Sequence, residues 1–76
     1  MSRLTPISSK EFERVLRSLG CEFVRQEGSH RVYWRSDLIR PIIVPVRKSL
    51  PVFVIKNNLR LLSISNEQYL NVLRSL

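Results

Sequence analysis

The sequence predicts an α+β fold of two layers: a helix, three antiparallel strands, then one or two helices, with the helices on one face of the sheet. Three observations predict it. A capping pattern precedes a run with helical spacing over roughly residues 9–19. Two β-rich runs flank a Gly-Ser pair at residues 28–29, and a third apolar run follows. Helical spacing then returns in the last third of the chain.

Taken in order, residues 1–7 read as a short leader containing Pro6. Ser8 with Glu11 makes a capping-box pattern. Phe12, Val15, Leu16 and Leu19 recur at one helical face, and Gly20 supplies a left-handed stop. Residues 21–27 and 30–35 are rich in aromatic and β-branched types, which predicts a β-hairpin turning at Gly28-Ser29. On the second strand Val32 and Trp34 share one face, while Arg31, Tyr33 and Arg35 share the other. The expectation is that Val32 and Trp34 point to the helices. The third strand, "PIIVPV", carries Pro41 and Pro45, so it belongs at a sheet edge. Pro51 fits the first turn of a helix. Val54, Ile55, Asn58, Leu59 and Leu62 continue it, although "VFVI" alone also suits a strand. Ser65 with Gln68 caps a final helix whose apolar face is Tyr69, Leu70, Leu73 and Leu76.

The 76 residues are expected to form one domain, 1–76. A chain this short hides only about 60–65% of its unfolded surface, so its core is small. Thirteen Lys and Arg stand against six Asp and Glu, for a formal charge of +7. Arginine suits bidentate phosphate contact and stacking on bases, so this balance points to a polyanion, most often nucleic acid. The excess is uneven. Between residues 28 and 64, Arg31, Arg35, Arg40, Arg47, Lys48, Lys56 and Arg60 face Asp37 alone. Arg47 and Lys48 after the third strand and Lys56 in the next helix are candidate phosphate contacts, with Arg31 and Arg35 as further RNA-binding candidates.

Several chemistries are not expected. One histidine and one cysteine exclude the usual zinc patterns. No glycine-rich phosphate loop is present, and the acidic residues do not cluster as a magnesium site requires. No metal, cofactor or membrane is anticipated. Cys21 reads as a small buried hydrophobe in a reducing, cytoplasmic setting.

What remains is His30, set among arginines. Imidazole titrates near neutrality and exchanges protons at working pH. RNA brings its own nucleophile, the 2′-hydroxyl. A protein need only assist its deprotonation, neutralise the phosphate and protonate the leaving oxygen. General acid–base help contributes about 10²–10⁴ in rate, and charge stabilisation adds to it. Tyr33 and Ser29 are weaker candidates for a second proton-transfer group. The plain alternative is a solvated histidine at a hairpin edge.

The stretch "ISSKEFERVLRSLGCEFVRQEGSHRVYW", followed by "IIVPV" and "SISNEQYLNVL", resembles the HicA family of toxin–antitoxin proteins over about residues 7–74. The Gly28-Ser29-His30 triplet is short, and its place between the first strand and the "VPV" strand is what makes it specific. The resemblance implies a fold like the double-stranded-RNA-binding domain. It implies a metal-independent mRNA interferase, an endoribonuclease that stops translation, with His30 as catalytic residue and Gly28 and Ser29 supporting it. It also implies a HicB-like antitoxin partner that masks the histidine, and an mRNA substrate. After the third strand the chain departs from the family pattern. Arg47 stands at a position usually histidine or polar, and a glycine–threonine pair is missing. Two other readings stay open at this point: a non-catalytic RNA-binding module of the same fold, and a basic protein-interaction subunit.

Overall fold

The first helix begins where its capping signal lies. In the computed structural model of the chain, which describes residues 3–76, α1 spans Ser9–Ser18. Ser8 Oγ accepts from the Glu11 amide at 3.1 Å, and the Glu11 side chain reaches back to Ser8. The first turn's free donors are thereby met. Gly20, at φ +86°, takes the left-handed conformation that ends the helix. Phe12, Val15 and Leu16 are fully buried along one face.

Strands β1 (Glu22–Glu27), β2 (His30–Trp34) and β3 (Ile42–Pro45) form an antiparallel sheet in the order β1-β2-β3. Gly28 and Ser29 connect the first two, with Gly28 at φ +59°. β3 lies at an edge, as its prolines require. The ladder extends one bond beyond it, since the Val46 amide donates to Ser29 O at 2.7 Å.

Helix α2 (Val52–Leu62) follows, with Pro51 at its N-cap rather than inside it. "VFVI" is therefore helical. A left-handed Ser63, φ 56°, ends α2. Helix α3 (Asn66–Arg74) starts at the expected Ser65–Gln68 capping box. Leu76 falls beyond α3 and is exposed.

The helices pack on one sheet face and share one core with it. Phe12, Val15 and Leu16 of α1 meet Tyr33, Ile42 and Val44 of the sheet, Ile55, Leu59 and Leu62 of α2, and Tyr69 of α3. Cys21 is buried at the edge of this cluster, and burial pushes its thiol pKa up. Asn58 of α2 donates through Nδ2 to Ile43 O at 3.3 Å, which ties that helix to the β3 edge. Of the leader at 1–7, residues 1–2 lie outside the described residues. Leu4 and Ile7 pack against the core, and Ile7 O accepts from the Leu50 amide at 2.7 Å. Among the described residues, no helix is long and apolar enough to cross a membrane.

One expectation is overturned. Tyr33 rather than Trp34 faces the helices: Tyr33 is fully buried and its hydroxyl donates to Glu13 of α1, while Trp34 is 39% exposed. Arg31 accompanies Tyr33 and also reaches Glu13. The reason is a buried acceptor on α1, which draws the polar ends of the alternate β2 positions inward. Val32 is still buried, but on the outer face, where its register partners are Arg25 and Ile43.

Candidate functional site

His30 opens β2 at the hairpin end of the sheet, where it pairs with Glu27 on one side and Pro45 on the other. Its side chain is exposed. Strand alternation puts it on the outer face with Val32 and Trp34. The backbone beneath it is fixed by its neighbours. Gln26 Nε2 donates to Gly28 O at 2.9 Å, and the Val46 amide donates to Ser29 O. A Cβ on Gly28 would meet nothing within 4 Å, so the glycine is required by its positive φ and not by crowding.

The helix face carries a different chemistry. Glu13 is only 5% exposed, and its Oε1 accepts from Arg31 Nε at 2.5 Å and from the Tyr33 hydroxyl. Arg17 Nη2 donates to that hydroxyl at 3.1 Å and lies 3.9 Å from the same carboxylate oxygen. Burial, then the Glu13 bond, raises the Tyr33 pKa. Hydrogen bonding to Glu13 raises that of Arg31. Arg31 further stacks over Phe23, 4.2 Å from its ring centroid, and holds Gln26 Oε1 at 2.8 Å. The Tyr33 hydroxyl is thus engaged inside the fold, on the opposite sheet face from His30.

The other candidate bases are dispersed. Arg35 is clamped by both oxygens of Asp37, at 2.5 and 2.9 Å, and donates to Leu19 O at 2.7 Å. The same ion pair lowers the Asp37 pKa. Arg47 and Lys48 are exposed in the segment after β3. Ser9 fixes the Arg47 backbone at both its N–H and C=O, each within 3.0 Å. Lys56 is exposed on α2, away from this group.

A cleft of about 870 Å³ lies between α1, the hairpin and the segment after β3. Among the described residues, Lys10, Arg14, Arg17, Arg31, Arg47 and Lys48 line it, with Glu13 as the only acid. Three of these, Lys10, Arg14 and Arg17, are absent from the sequence-based candidates. Their spacing at i, i+4 and i+7 on the exposed side of α1 is the signal that marks them. Among the described residues no group of three or more His, Cys, Asp or Glu converges as a metal site.

A family model described as the HicA toxin of bacterial toxin–antitoxin matches residues 9–64. The chain belongs to the HicA toxin family. The match runs from the first residue of α1 to just past α2, so it includes the Gly28-Ser29-His30 triplet, Arg47 and Lys48. Helix α3 lies outside it. No curated protein and no solved structure matches the chain.

Proposed function

We propose that this HicA-family chain is the toxin of a type II toxin–antitoxin pair and acts as a metal-independent mRNA interferase, with His30 transferring the proton. The observation that carries this reading is the position of His30. Its imidazole is exposed, while the strand beneath it is held on both sides by the ladder. A proton-transfer group requires this combination of access and a fixed origin.

In the proposed reaction the ribose 2′-oxygen attacks the adjacent phosphorus. The new P–O2′ bond forms as the P–O5′ bond breaks, leaving a 2′,3′-cyclic phosphate and a 5′-hydroxyl. His30 takes the 2′-hydroxyl proton or delivers one to the leaving 5′-oxygen. Arg47 and Lys48, which follow β3 beside the triplet, offset the charge that builds on the phosphoryl oxygens. Lys56 would add to RNA affinity, Arg31 and Arg35 less so because Glu13 and Asp37 already hold them, and Gly28 and Ser29 set the hairpin that carries His30. A HicB-like antitoxin would silence the toxin by covering His30, and the site of action would be the cytoplasm.

The test is cleavage of RNA by the purified chain in EDTA, beside His30→Ala. Cleavage by the parent alone supports the reading. Cleavage by both at one rate removes His30 from catalysis. Failure of both, with RNA still bound, leaves a binding module.

A further inference from the structure

The sheet's two faces differ in chemistry, and His30 stands at the hairpin end on the outer one. Exposed apolar side chains, Trp34 and Ile43, belong to the outer face. The cleft on the helix face is lined by six bases, and Val46 is its one apolar lining residue among those described. Protein interfaces are built around aromatic and aliphatic anchors with few charges at their centre. This cleft is instead rimmed by charged side-chain ends, with aliphatic stems beneath them.

Its charge is also available. Lys10, Arg14, Arg47 and Lys48 form no ion pair among the described residues, whereas Arg25, Arg31 and Arg35 do. Glu13, the single acid, is occupied by Arg31, Tyr33 and Arg17, so its charge is already offset. The bases of α1 stand in a row. From Lys10 to Arg17 the helix rises about 10 Å, a track that follows a backbone rather than a point that holds one anion. Arg47 faces that row from a backbone pinned to Ser9.

The cleft also abuts the catalytic candidate. Two of its lining residues, Gln26 and Val46, hydrogen-bond the carbonyls of Gly28 and Ser29. A strand leaving the cleft at that end must round the hairpin tip to reach His30 on the outer face.

We infer that this cleft seats the sugar–phosphate backbone of the RNA, with Lys10 and Arg14 of α1 contacting phosphates alongside Arg47 and Lys48. The inference rests on the ribonuclease reading for its choice of RNA, but not on His30 being the catalyst. Binding here is by charge and is indifferent to base sequence.

The experiment measures anisotropy of a short labelled single-stranded RNA with the full chain carrying His30→Ala, which separates binding from turnover. Into that background go the pair Lys10→Gln and Arg14→Gln, and as control the pair Arg60→Gln and Arg74→Gln. All four side chains are exposed, and far-UV circular dichroism confirms the fold. The α1 pair is expected to weaken binding about tenfold for any RNA sequence and to lower the salt slope by about 1.4. The control pair removes equal charge with a smaller effect. Equal affinity and slope for the α1 pair and its parent would overturn the inference. So would equal losses in both pairs, or loss of binding to an acidic protein but not to RNA. If the α1 pair loses RNA while the wild-type chain never cleaves, the cleft stands and the catalytic reading falls.

Discussion

The Tyr33 hydroxyl donates to Glu13 across the interface between sheet and helix, and the two residues lie twenty positions apart. Both are buried, and Arg31 shares the carboxylate. A buried carboxylate is tolerated only when its lone pairs are met. Tyr33→Phe removes one hydrogen bond but leaves Glu13 on Arg31, so the expected loss is about 1 kcal/mol. Glu13→Ala takes away the acceptor of both the Tyr33 O–H and Arg31 and leaves a void, so its expected loss is about 2–3 kcal/mol. Urea unfolding measures both. A Glu13→Ala loss no greater than that of Tyr33→Phe would mean the carboxylate is not the centre of this network.

Gly28 sets the hairpin by conformation alone, since its φ is +59° and the space around it is open. Gly28→Ala is expected to cost about 1 kcal/mol, the steric penalty of the left-handed region for a residue with a Cβ. Gly28→Asn should cost less, because asparagine visits that region more readily. The order of the two urea midpoints is the readout. If alanine matches glycine, the turn relaxes to another conformation and the position of His30 is less fixed than the ladder indicates.

Asn58 joins α2 to the outer edge of β3. Asn58→Ala removes the partner of a strand carbonyl and is expected to cost about 1 kcal/mol. It also uncovers part of an edge strand, so the variant should self-associate more readily than the parent. Light scattering at matched concentrations checks the second effect. Unchanged scattering would show that Pro41 and Pro45 protect this edge without help from α2.

The parts of the fold that local chemistry decides were legible. Both capping boxes, the glycine stop and the hairpin turn each depend on residues within a few positions of one another. The faces of β2 were not legible, because each face carried an aromatic and the sequence held nothing local to rank them. The deciding contacts join Arg31 and Tyr33 to Glu13 across the fold. The candidate site divides in the same way. His30 stands out as a single imidazole beside a turn glycine, whereas the cleft draws its bases from three separated segments. Lys10, Arg14 and Arg17 read as the solvated side of an amphipathic helix until Arg47 and Lys48 are brought opposite them.

Tyr69 is 1% exposed, and its hydroxyl has no hydrogen-bond partner among the described residues. Burial, with a smaller contribution from Glu11, pushes its pKa up to about 12 from an ordinary value of 10.0. A phenol whose pKa is higher folded than unfolded makes the fold less stable once it ionises. No stability is lost to it below about pH 10, and about 2–3 kcal/mol is lost as the pH rises through 12. Tyr33, also raised by burial, adds in the same direction. Tyr69→Phe removes both the unmet hydroxyl and the ionisation. It should leave stability at neutral pH equal or higher by about 1 kcal/mol, since no bond is lost. Between about pH 8 and pH 11 its urea midpoint should fall less than that of the parent. A parallel fall in both proteins would place the alkaline sensitivity at Tyr33 and its bond to Glu13 instead.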